Sequence, residues 1–124
     1  MKINFIRHLI IPLLLSLPIW SGCTKTNSTA LAPEKISTAI NQAFKQSTGE
    51  ARELADNCAA AAQNQDVTRT FASLQKLSRR GDLTPEQRAT AARALPTAFA
   101  QLRAAAERGN PAAKAVMHGY LSTR

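Results

Sequence analysis

Helix-stopping and helix-starting residues recur along this chain at intervals that suit short helices. Between them, no run of alternating β-branched residues reaches strand length. The clearest start is Thr84-Pro85-Glu86-Gln87. There Thr84 is placed to cap, Pro85 opens the first turn where its missing N–H costs nothing, and Gln87 can reach back in a capping box. Leu83 just before it suits a hydrophobic staple. Pro33 opens an earlier helix, with Glu34 favoured in the first turn by the helix dipole. Ser47-Thr48-Gly49-Glu50 reads as a stop and restart, although one helix running through Gly49 would cost only about 1 kcal/mol relative to Ala. Arg108-Gly109-Asn110-Pro111 is a further stop and restart, with Asn110 as the cap. This punctuation predicts an all-α fold: a small antiparallel helical bundle or stacked helix hairpins.

Apolar spacing predicts which faces are buried. Ile36, Ile40, Ala43 and Phe44 form the first stripe. A second helix is expected from Glu50 to about Arg79, on Ala51, Leu54, Ala55, Cys58 and Ala62, then Val67, Phe71, Leu74 and Leu77. Asn64-Gln65-Asp66 marks a bend in it, or a turn that divides it. Gly81 is expected to form a left-handed cap after the basic end of that segment. The helix from Pro85 is expected to bury Ala92, Leu95, Phe99, Leu102 and Ala106, and to kink or break near Pro96. A last short helix over 112–121 is expected to bury Ala115, Val116 and Tyr120.

Only 5% of residues are aromatic, so the core must be built from Leu, Ile, Val and Ala. Each small side chain buries little area, at roughly 25 cal/mol per Å². The 124 residues suffice for one modest domain and not for two. The formal charge is +8. A strongly basic balance draws a protein toward anionic lipid, nucleic acid or an acidic partner, or serves as plain solubilising charge.

The first 23 residues have the order of an export signal. Lys2 and Arg7 precede an apolar run over 9–19, and Ser21-Gly22-Cys23 follows at once. The run is interrupted by Pro12 and Pro18 and falls short of the roughly 20 residues a membrane span needs. Ser21-Gly22-Cys23 resembles the lipobox of bacterial lipoproteins, with Trp20 standing where that family favours Leu. The resemblance implies cleavage between Gly22 and Cys23 and acylation of Cys23. It divides the chain into a signal peptide over 1–22, a lipidated cysteine with a flexible tether over 23–32, and an alanine-rich helical domain over 33–124. Acyl burial is worth about 0.8 kcal/mol per CH₂, and several chains on Cys23 would hold the protein firmly. Thr24, in place of Asp, leans by family analogy toward the outer membrane, facing the periplasm, if the cell has one. In that compartment nucleic acid is not an expected partner, whereas membrane lipid, an envelope protein or an anionic envelope polymer is.

Groups suited to chemistry are sparse. Glu53 and Asp56 can share a helical face, as paired acid–base carboxylates do, but in this setting they read as solvated surface. His118 stands without the Cys or carboxylate neighbours of a metal site, and no catalytic residue, metal site or cofactor is assigned. With Cys23 acylated, Cys58 has no internal partner. Its expected role is a buried small hydrophobe, the alternative being an intermolecular disulfide. Lys76, Arg79 and Arg80 can cluster at a helix end as a basic patch.

The tail segment Ala105-Ala106-Glu107-Arg108-Gly109-Asn110-Pro111-Ala112-Ala113-Lys114-Ala115-Val116-Met117 resembles part of a Sel1-like repeat. Ala105, Ala106, Glu107, Gly109, Ala113 and Met117 stand where that family favours Ala, Ala, Glu, Gly, Ala and Leu. The resemblance implies a stacked helix hairpin that binds proteins. The function expected is therefore an envelope lipoprotein with a structural or adaptor role. The alternatives are a secreted helical protein binding an extracellular target and, third, a small envelope enzyme.

Overall fold

The computed structural model describes residues 29–124. Gly22, Cys23 and the expected leader lie outside the described residues. A 3-10 turn over Pro33–Lys35 leads into five α-helices: α1 (Ile36–Ala43), α2 (Gly49–Gln63), α3 (Val67–Ser78), α4 (Pro85–Glu107) and α5 (Pro111–Ser122). No strand occurs among the described residues, so the fold is all-α.

α1 stops at Phe44, and Arg52 of α2 helps to hold that end. Its Nη1 donates to the carbonyls of Phe44 at 3.1 Å and Lys45 at 2.9 Å. These carbonyls have no partner inside the helix, and a cation there meets the negative end of the dipole. Gly49 starts α2 with φ of +63°, a conformation other residues adopt only under strain, so the helix does not run through it.

The segment expected as one helix from 50 to 79 is two. α2 ends in a Schellman motif: the Asp66 N–H donates to the Ala61 carbonyl at 2.9 Å and the Gln65 N–H to the Ala62 carbonyl at 3.2 Å. Gln65 takes φ of +57°. Asp66 then caps α3, its carboxylate accepting from the Arg69 N–H at 3.0 Å. The α4–α5 link repeats this device. The Asn110 N–H donates to the Ala105 carbonyl and the Gly109 N–H to the Ala106 carbonyl, both at 3.0 Å. Gly109 sits at φ +92°, and the Asn110 side chain accepts from the Ala113 N–H at 3.1 Å. Gly81 does not take the expected left-handed conformation. The turn after α3 is closed by the Arg80 N–H donating to the Leu77 carbonyl at 3.1 Å.

The capping box at α4 forms as expected. The Gln87 N–H donates to Thr84 Oγ1 at 3.1 Å, and the Thr84 N–H donates to Gln87 Oε1 at 3.0 Å. The Gln87 amide also donates to the Ala43 carbonyl and to Ser47 Oγ, which ties the start of α4 to the end of α1. α4 runs unbroken through Pro96. The carbonyl left without a donor is that of Ala92, and both residues are exposed, where water can serve.

The helices α1, α2, α3 and α4 form a closed ring. Each packs on the next, and α1 closes onto α4. Across the ring, α2 faces away from α4 with no close backbone approach. α5 lies in the angle between α3 and α4. Ile36, Ile40, Phe44, Cys58, Phe71, Leu74, Leu77 and Leu102 are fully buried at the centre. α4 meets them through Ala91, Ala94, Ala98, Leu102 and Ala105. Of the expected stripe, Leu102 and Ala106 are buried, Leu95 and Phe99 are half-buried on the flank, and Ala92 is exposed. In α5 the buried residue is Ala113, and Ala115 is exposed. Val116 and Tyr120 are half-buried, as is Met117. Phe71, Phe99 and Tyr120 join α3, α4 and α5 in a triangle with ring centroids 5.3 to 5.8 Å apart, within the range of favourable aromatic pairing.

The domain begins before Pro33. Leu31, placed in the expected tether, is only 8% exposed and packs into the core cluster. Its N–H donates to the Arg93 carbonyl at 3.0 Å, its carbonyl accepts from Thr97 Oγ1, and Arg93 Nε donates to the Thr29 carbonyl.

Candidate functional site

A groove of about 720 Å³ opens at one end of the ring. Several elements meet there: the turn before α1 with Glu34, the first turn of α1 with Ser37, the α2–α3 link with Gln65, the start of α3 with Thr70, and the end of α4 with Gln101 and Arg108. The polar lining follows from the links. Helix ends and their caps need polar residues, so a groove between several ends inherits them. Thr70 Oγ1 is occupied, donating to the Asp66 carbonyl at 2.8 Å. Ser37 Oγ is not: it is buried and has no hydrogen-bond partner among the described residues. A buried hydroxyl without a partner costs roughly 1–3 kcal/mol, so Ser37 Oγ would gain from a hydrogen bond to a ligand. Glu34 and Arg108 stand exposed in the lining, opposite in sign and without an ion pair among the described residues. Gln65 places a non-glycine left-handed residue in the same wall.

The residues singled out from sequence are spread elsewhere. Lys76 and Arg79 are exposed at the end of α3. Arg80 does not join them as a free charge. Its guanidinium donates to both carboxylate oxygens of Asp82, at 2.9 and 2.8 Å, and pairs with Glu50 at 3.0 Å. Hydrogen bonds to Asp82 and Glu50 raise the Arg80 pKa further, and the bond from Arg80 holds Asp82 below the usual carboxylate range. Charge on the expected patch is thus reduced to Lys76 and Arg79.

Cys58 is fully buried on α2, with its thiol toward the Thr70 carbonyl at 4.0 Å. Burial pushes its pKa up to about 12, so the reactive thiolate is suppressed, and a disulfide to another chain would require the fold to open. Glu53 is exposed, and its neighbour Asp56 pairs with Arg52 at 3.0 Å, so the two carboxylates do not act as a pair. His118 is exposed on α5, away from the groove. Among the described residues, no group of three or more His, Cys, Asp or Glu comes together as metal ligands. No described helix is long and apolar enough to cross a membrane.

Sequence reasoning misses the groove. It draws Glu34 and Ser37, Gln65, and Arg108 from three separate stretches of the chain, and none carries a motif. The only local signal is Asn64-Gln65-Asp66, which hints at a turn but not at a wall. No family model matches this chain, and no curated protein or solved structure is significantly similar to it.

Proposed function

We propose that this chain is an acylated lipoprotein of the bacterial cell envelope, held by lipid on Cys23, whose helical domain acts as a structural or adaptor module. The observation that carries this reading is the placement of Ser21-Gly22-Cys23 directly after a charged start and a short apolar run. Acylation supplies the address, and the domain supplies contact with another envelope component. The end groove is the best place for that contact. Ser37 offers a buried hydroxyl without a partner, and Glu34 and Arg108 offer charges that no described residue pairs. Protein binding is also what the resemblance of the α4–α5 segment to a Sel1-like hairpin implies. Trp20, in place of an aliphatic residue, favours a second reading in which the chain is cleaved near Gly22 and released to bind an extracellular target.

Metabolic labelling with a palmitate analogue tests the first reading against the second. Label on the wild type that disappears in Cys23→Ser supports acylation. An unlabelled, cleaved protein free in the medium overturns it and favours release.

A further inference from the structure

Cys23 and Thr29 are six residues apart in sequence, so even a fully extended chain separates them by only about 20 Å. Thr29 and Leu31 are fastened to the side of α4. Arg93 holds the Thr29 carbonyl at 3.0 Å, Arg93 and Thr97 together take both polar groups of the Leu31 backbone, and the Leu31 side chain is buried. A lipid on Cys23 therefore cannot leave the domain free to tumble on a long leash. It keeps the fastened middle of α4 within about 20 Å of the anchor.

The exposed charge differs between α4 and α2, with α3 between them carrying Arg69 and Lys76 and no acid. The outer side of α4 carries Arg88, Arg93 and Arg103, with exposed Glu86 and Glu107 only at its two ends. Between the arginines it presents Ala89, Ala92, Pro96 and Ala100, small exposed side chains that allow close approach to a surface. Arg103 pairs with Glu107 at 3.2 Å, but both are exposed and such pairs exchange readily with other partners. α2, across the ring, is the reverse. Its exposed side carries Glu50, Glu53 and Asp56, and its one basic residue, Arg52, is engaged with Asp56 and the end of α1. Neighbouring α5 adds Lys114 and no acid.

From the fastening and the charge difference together, we infer that the outer face of α4 is a docking surface for anionic lipid head groups, and that the domain sits on the membrane with α2 turned away. This rests on acylation of Cys23. The fastened segment sets which side meets the bilayer, and the arginines hold it there. That orientation leaves the groove, walled by the ends of several helices, open at the side of the seated domain.

The sole tryptophan, Trp20, lies in the leader, so the chain from Cys23 onward has none and still contains the whole described fold. Ala100→Trp on α4 and Ala60→Trp on α2 place single reporters at two exposed positions. The Cys23 thiol is coupled to a maleimide lipid in vesicles, and buried Cys58 does not compete. With phosphatidylglycerol present, brominated lipids should quench the reporter at position 100 several-fold more than the one at position 60. In pure phosphatidylcholine the difference should shrink, since each arginine near an anionic surface is worth roughly a fivefold preference. Leu31→Ser should abolish the difference while the protein stays attached. Equal quenching at both sites, stronger quenching at position 60, or a difference indifferent to lipid charge would overturn the orientation. The synthetic anchor keeps this result separate from palmitate labelling, which tests whether the cell acylates Cys23.

Discussion

The α2–α3 and α4–α5 hairpins turn by the same device and come to rest in different surroundings. Each leading helix ends in a Schellman motif with a left-handed residue, Gln65 in one and Gly109 in the other. In each, the next residue caps the following helix through its side chain, Asp66 or Asn110. Yet α3 buries Thr70, Phe71, Ser73, Leu74 and Leu77, while α5 buries Ala113 alone. Turn chemistry decides where the chain reverses. How deep the returning helix lies depends on its neighbours, and α3 has α2 on one side and α4 on the other, with α5 packed over it. α5 has only α3 and α4.

That contrast can be tested by substitution, and the largest effect belongs to the inner hairpin. Leu74→Ala removes a fully buried side chain from the ring centre and should cost about 3 kcal/mol, measured by denaturant unfolding. A loss under about 1 kcal/mol would mean that α3 is not the core helix described. Tyr120→Ala in the outer hairpin removes one corner of the aromatic triangle and should cost about 2 kcal/mol or less. Its signature is local: amide exchange should quicken through α5 while the ring keeps its protection. Uniform acceleration across all helices would place α5 inside the cooperative core and erase the distinction.

A smaller effect comes from Cys58 on α2. The folded thiol titrates near 12 and the unfolded thiol near 9, so the contribution of Cys58 is intact below about pH 9. As pH rises from there toward 12, the unfolded chain ionises while the folded one does not, and stability falls. The difference between wild type and Cys58→Ala should narrow by about 1 kcal/mol between about pH 8 and pH 10. A difference independent of pH would show that the thiol is not held in a dry site. The smallest expected change is at Ser37→Ala. Removing a buried hydroxyl that lacks a partner should leave stability unchanged or raise it by a few tenths of a kcal/mol, while weakening recovery of any envelope partner in cross-linking. A clear drop in thermal midpoint would mean that the hydroxyl is satisfied in the folded protein.

Local signals carry most of the fold. Pro33, Thr84-Pro85-Glu86-Gln87 and Asn110-Pro111 mark helix starts that the structure realises, and Ile36, Ile40 and Phe44 are buried as their spacing requires. The errors fall where local signals lose contrast. Along α4 alanine occupies so many positions that a stripe through Ala92 and one through Ala91 look alike, and the large residues Leu95 and Phe99 draw the reading to the flank. Ala113 and Ala115 in α5 present the same ambiguity. Pro96 suggests a break because its cost depends on whether water reaches the Ala92 carbonyl, which only the packed structure decides. Arg80 looks like part of a cationic patch because nothing in the sequence shows that its guanidinium folds onto Asp82, two residues on, and reaches Glu50, 30 residues distant. Leu31 is an isolated apolar residue in polar sequence, with no periodicity to announce that α4 receives it. The groove is the least legible feature, since it exists only where three separate stretches of the chain converge.

The line of alanines through Ala91, Ala94 and Ala98 has a consequence for how this protein tolerates change. Methyl groups lie where other cores hold branched chains, so there is little bulk to lose and almost no room for more. A gain of even a few carbons at Ala94 would have to be absorbed by moving a whole helix, whereas trimming to glycine removes a single methyl. Larger side chains at those sites are therefore opposed by crowding, and room for added bulk is left to the outward faces and the ends of the helices.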